Sequence, residues 1–154
     1  VAVVGGLIVG IALDKIRINK RTITISMTSK NYVSPYNSGS FVFDYSNNNG
    51  TYVIGQQERV FTTKWSKASD TSIHAYSDST DIDSIALIKN VKDLSSLNLI
   101  DADFSSRCRT AQIGDAVAWK NINGYYAVTK IVSIKDDNRG DTRDELECQY
   151  VIFK

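Results

Sequence analysis

Aromatic side chains lying beside cations are the residues of this chain whose types and spacing best suit a chemical task. Trp65 lies between Lys64 and Lys67, Trp119 precedes Lys120, Tyr125 and Tyr126 follow closely, and Arg107 and Arg109 flank Cys108. An aromatic face stacks on a planar ring, and a neighbouring guanidinium or ammonium pairs with a phosphate or another anion. Trp65, Arg107, Arg109, Trp119, Lys120 and Tyr125 therefore form the candidate ligand-binding set. The partner they fit is a small, anionic, aromatic molecule of nucleotide type. The competing use of the same residues is structural, because large aromatics dominate small β cores and Lys and Arg otherwise face solvent.

Catalytic patterns are sparser. His74 is the sole histidine, in the run SIHAY with Ser72 and Tyr76 at the same parity and Asp70 and Asp78 close by. A Ser-His-Asp triad is assembled in space, and no nucleophile-elbow pattern accompanies this histidine. Acid–base chemistry would otherwise fall to the pairs Asp81 with Asp83, Asp101 with Asp103, Asp136 with Asp137, or Asp141 with Asp144. All lie in segments that read as loops, whereas a glycosidase needs two carboxylates facing across a cleft from separate elements. No catalytic residue is assigned, and a carboxylate-based hydrolase is kept as the alternative to a binding module.

Metals and cofactors find little support. One His and two Cys exclude zinc sites built on several such ligands. The acidic run DDNRGDTRDE, Asp136 to Glu145, fails the EF-hand register, since Gly140 falls at position 5 instead of 6. An irregular calcium cage and a solvated hairpin turn are both open readings there; the tripeptide Arg139-Gly140-Asp141 is too short to carry a function. The opening VAVVGGLIVG imitates a dinucleotide-binding turn but has Leu7 where the second glycine must admit a pyrophosphate. No cofactor and no metal is therefore expected. Cys108 and Cys148 alternate with charged neighbours, so both are expected on a buried face as reduced thiols. A bond between them would instead close a loop of about 40 residues and mark an oxidising compartment.

The elements that must position these residues are mainly strands. A length of 154 residues suits one domain, and 42% hydrophobic against 23% charged residues excludes wholesale disorder. The net charge of +1 supplies no global field for nucleic acid, so any such role requires a local patch. Residues 1–13 carry no charge, and Lys15, Arg17, Lys20 and Arg21 follow against the lone Asp14. This run is shorter than the roughly 20 apolar residues of a membrane-spanning helix. It reads as the tail of such a helix, with a close-packing Gly6–Gly10 step and a basic cytoplasmic flank, as a buried strand or core helix, or as the remnant of a secretion signal.

Residues 1–26 are accordingly taken as an apolar and basic N-terminal segment, a membrane contact through 1–13 or a core strand, and 27–154 as the β domain. Alternation suggests strands at Ile16–Ile18 and Ile23–Ile25; the polar stretch 27–40 with Pro35 reads as a loop. Phe41 to Tyr45 and Tyr52 to Ile54 are expected to form a hairpin around Asn47–Gly50. Further strands are expected at 59–65, 72–76 and 85–88, one helical turn within 91–103, and a three-stranded meander from Ala116 to Phe153 turning at Asn123-Gly124. The fold class is all-β, about nine to eleven strands in an antiparallel sandwich or small barrel. The function expected is a non-catalytic ligand-binding or sensing module, cytoplasmic or at the cytoplasmic face of a membrane. A hydrolase, or a structural subunit that self-associates as a homo-oligomer, are the alternatives.

Overall fold

Alternating runs such as FVF, FTTKW and YAVTKIVSI present one side chain in two to a core, and two sheets packed face to face satisfy that demand. The computed structural model describes residues 31–135 and 144–154, and Asn31–Lys154 forms one unit. The readings placed on 1–26, and on the acidic run at 136–143, lie outside the described residues. Ten strands are described: β1 (Val33–Ser34), β2 (Ser38–Asp44), β3 (Thr51–Ile54), β4 (Phe61–Lys67), β5 (Ser72–Tyr76), β6 (Ile82–Ile88), β7 (Cys108–Gln112), β8 (Ala116–Asn121), β9 (Tyr126–Lys135) and β10 (Glu145–Phe153). The first sheet has the order β2-β10-β9-β8-β6 and the second β1-β3-β4-β5-β7. All pairs are antiparallel except the short β1–β3 pair. The unit Asn31–Lys154 is an all-β sandwich; among the described residues the two sheets do not close into the barrel that composition also allowed.

The core lies between the sheets. Phe41, Trp119, Ile131 and Leu146 of the first sheet meet Tyr52, Phe61, Trp65 and Ile73 of the second, all essentially inaccessible. Phe41 stacks on Tyr52 at 4.2 Å and 11°, one ring from each sheet. A second, smaller apolar layer covers the outer face of the first sheet. There the strap 89–107 lays Leu94, Leu97, Leu99 and Phe104 over Ala86, Ala116, Ala118 and Val128. The small alanines let the strap approach the sheet closely. Asp93, Asn98 and Asp103 each accept the backbone N–H two residues on, at 2.9 Å, so the strap is a series of side-chain-closed turns. Its one helical piece, Leu94–Ser96, falls within the expected 91–103.

Two expectations change. The polar stretch 27–40 contains β1 and the start of β2, because Ser34 is buried and hydrogen-bonded to the Tyr150 hydroxyl at 2.7 Å. The hairpin expected across Asn47–Gly50 is not one: β2 pairs with β10, while β3 pairs with β4 in the other sheet. Asn48, Asn49 and Gly50 all have left-handed φ, and this sequence of turns carries the chain from one sheet to the other. Gly50 is required, since a Cβ there would lie 2.2 Å from the Trp65 carbonyl oxygen. The meander of β8, β9 and β10 forms as expected.

Candidate ligand-binding surface

The structure divides the six sequence-derived candidates among the core, the strap, a cleft, and a shelf and rim at the end of the first sheet. Trp65 and Trp119 face each other across the sheets at 5.3 Å and 68°. Each indole N–H donates to a threonine on its own sheet, Trp65 to Thr63 at 2.8 Å and Trp119 to Thr129 at 2.9 Å. Both are buried in the core with their indole N–H groups satisfied, and Trp65 also lines a cleft beside Arg107. Arg109 turns away from a groove. Its guanidinium donates to the Asp103 carbonyl at 2.8 Å and lies 3.1 Å from the Asp103 carboxylate, pinning the strap. Hydrogen bonds from Ser105, first by its side chain and then by its backbone, and then from Arg109, lower Asp103 to about 2.

Arg107 lies on the outer face of the second sheet. It grips Asp78 with two bonds of 2.7 and 2.8 Å, and its Cζ stands 5.4 Å above the centre of the Tyr76 ring. The bond to Asp78, and then its charge, raise the Arg107 pKa above the ordinary value. A cleft of about 460 Å³ opens here, lined by Lys64, Trp65, Ser66, Tyr76, Asp78, Arg107 and the turn around Asn49, so it brings together two of the six candidates, Trp65 and Arg107. Its cations are engaged: Arg107 by Asp78, and Lys64 by the Asn49 carbonyl at 3.2 Å.

Lys120 and Tyr125 lead elsewhere. The register Tyr126↔Lys120 and Tyr126↔Phe153 places these three side chains in one row, on the face of the first sheet opposite Trp119. Tyr126 and Phe153 are nearly parallel (19°) at 6.0 Å, Phe104 of the strap meets Tyr126 edge-on at 6.0 Å, and the Lys120 ammonium is 6.0 Å from the Tyr126 ring. This row is a shelf of three rings and one cation. Just past the strand ends is a rim, where Arg59 and Lys154 stand 5.3 and 5.0 Å from the Tyr125 ring centre. Among the described residues, Arg59, Lys120 and Lys154 have no carboxylate partner.

Buried Asn121 holds the rim together. Its carbonyl accepts the N–H groups of Asn123 and Tyr125 at 3.0 and 2.9 Å, closing the turn. Its amide donates to the carbonyls of Glu58 and Val60 at 2.9 and 3.1 Å, tying in the 3₁₀ turn Gln57–Arg59. Asn123 adds a third bond to Glu58 at 3.1 Å. One side chain thus positions both Tyr125 and Arg59.

The chain matches no protein-family model, no curated protein and no solved structure.

The other chemical candidates are occupied structurally. His74 Nδ1 pairs with the Thr110 hydroxyl at 2.8 Å, and Asp78 serves Arg107, so these groups do not assemble a triad. Asp81 accepts both the N–H and the hydroxyl of Thr62, and the hydroxyl bond is 2.7 Å. Among the described residues no three His, Cys, Asp or Glu side chains converge as a metal site, and no helix is long and apolar enough to cross a membrane. Both cysteines are free thiols. Cys148 is buried, and burial pushes its thiol pKa well up. Cys108 departs from expectation: it pairs with Tyr76 in register on the second sheet and is only half-buried. Phe104, Phe153, Lys154 and Arg59 were not singled out from the sequence. The Asn123-Gly124 turn was a signal only for the Lys120 and Tyr126 pair that they join, because its register sets those two opposite each other.

Proposed function

We propose that this chain is a non-catalytic binding module for planar, anionic, aromatic ligands of nucleotide type, held on the shelf and rim. The observation that carries this reading is the set of cations at Arg59, Lys120 and Lys154. Each is held against an aromatic ring with no carboxylate to neutralise it, whereas Arg107 and Arg109 are each engaged by an acid. Stacking on an exposed ring contributes about 1–3 kcal/mol per base. A charge-assisted bond to phosphate adds about 1.5–3 kcal/mol. Against the cost of association, one ring and one cation support no better than weak binding of a single nucleotide, in the region of millimolar.

Calorimetric titration with AMP and UMP at low salt tests the reading. Binding is expected that weakens with salt and falls about fivefold or more in Tyr126→Ala and in Lys120→Ala. Absence of any saturable heat at millimolar nucleotide contradicts it. A second reading is favoured by the cleft at Arg107, whose 460 Å³ lies within the roughly 300–1,000 Å³ of small-molecule sites. Binding lost in Arg107→Ala but untouched in Tyr126→Ala would assign the ligand to that cleft instead.

A further inference from the structure

We infer that the ligand of the shelf and rim is an extended single-stranded polynucleotide rather than a free nucleotide. This rests on the reading just given and deepens it. The shelf offers two nearly parallel rings, Tyr126 and Phe153, at 6.0 Å, with Phe104 of the strap bracing Tyr126 edge-on at 6.0 Å. The rim lies one residue further along each strand, where Tyr125 precedes Tyr126 and Lys154 follows Phe153, and Tyr125 packs against the inter-sheet core from the end of the sandwich. Beyond it, Arg59 also lines a second cleft of about 260 Å³, together with Tyr36, Asn37, Gln56, Gln57 and the acidic Glu58. Tyr36 is 60% exposed there. The path inferred for the polynucleotide runs from the shelf on the outer face of one sheet to the rim at the end of the sandwich, past the ring–cation groups on either side of the strand ends.

A single nucleotide uses one ring and one cation of this path and leaves the others idle. A strand of several nucleotides uses them together, and each further stacked base multiplies affinity by about tenfold. Stacking on these rings requires unpaired base faces, which a duplex withholds and a single strand presents. Rings are read by every base, so the path selects for single-strandedness and length more than for sequence. The cations also supply what the near-neutral whole molecule lacks, a local electrostatic patch.

Fluorescence anisotropy with fluorescein-labelled dT and rU oligomers of two, four and eight nucleotides tests this. Affinity is expected to rise at least tenfold from two to eight nucleotides. Three released counterions predict a slope of about −2 for log K against log salt. Tyr126→Leu and Phe153→Leu, which keep an apolar side chain and whose folding is checked by circular dichroism, are each expected to weaken the octamer about tenfold. Arg59→Gln and Lys154→Gln are each expected to flatten the salt slope by about 0.7. The dT and rU arms show whether the sugar matters.

An octamer that binds no tighter than AMP overturns the polynucleotide inference while leaving the nucleotide reading standing. Failure of AMP and of every oligomer overturns both. Octamer binding that is indifferent to Tyr126→Leu and Phe153→Leu, and displaced equally by inorganic polyphosphate, shows charge attraction without stacking and overturns the inference. So does tighter binding of the corresponding duplex.

Discussion

Trp119 and Tyr126 sit seven residues apart, and the same chemistry of type, a large ring beside a lysine, sends them to opposite roles. Trp119 is inside because its indole N–H finds Thr129 and its ring finds Trp65. Tyr126, opposite Lys120, is half-exposed on the outer face of the sheet. Trp119→Ala should therefore cost about 3–5 kcal/mol of stability in urea unfolding. Trp119→Phe should leave nucleotide affinity unchanged; a specific loss of affinity at unchanged stability would return Trp119 to the site. The buried phenols make a second prediction at this scale. Burial raises Tyr52 to about 12 and drives Tyr150 upward as well. Because the folded pKa exceeds the unfolded value near 10, the protonated phenols favour the fold fully below pH ~10 and that contribution is lost as pH rises through about 12. The melting temperature should fall across this alkaline window. Absorbance at 295 nm should show the buried phenolates only on unfolding, and early, complete titration in the folded state would contradict the packing.

At the scale of elements, Asn121 is the joint on which the rim depends. Asn121→Ala removes two acceptor and two donor bonds and leaves buried backbone groups unpaired. It should lower stability by about 2–4 kcal/mol and weaken ligand binding through Tyr125 and Arg59 even though Asn121 touches no ligand. Asn121→Asp keeps the acceptor and so should restore the turn but not the tie to Glu58; equal binding by all three proteins would remove the joint from the account. The strands from Ala116 onward were legible because tight turns and alternation act over a few residues. The connection at Asn47–Gly50 was not, since a turn of left-handed residues looks local whether its strands pair or part. The strap 89–107 was equally opaque. Its leucines lack a period because they follow a run of turns, and what they cover, a row of alanines on β6 and β8, is visible only once the sheet is assembled.

For the whole molecule, the all-β class followed from composition and period, while the candidate site was half legible. Lys120, Tyr125 and the idea of rings beside cations were readable from spacing. Phe153, Lys154, Arg59 and Phe104 join them only through pairing across the sheet and round the sandwich end, at separations that spacing does not reveal. Conversely Arg107 and Arg109, neighbours on one short segment, are drawn apart by Asp78 and Asp103. The central proposal is that a planar, anionic ligand binds on the shelf and rim. Amide chemical-shift mapping during titration with AMP tests it most directly. Saturable shifts at Arg59, Lys120, Tyr125, Tyr126, Phe153 and Lys154, with Lys64, Tyr76 and Arg107 unmoved, are the predicted result. Shifts confined to Lys64, Tyr76 and Arg107, or none at any nucleotide concentration, would contradict it.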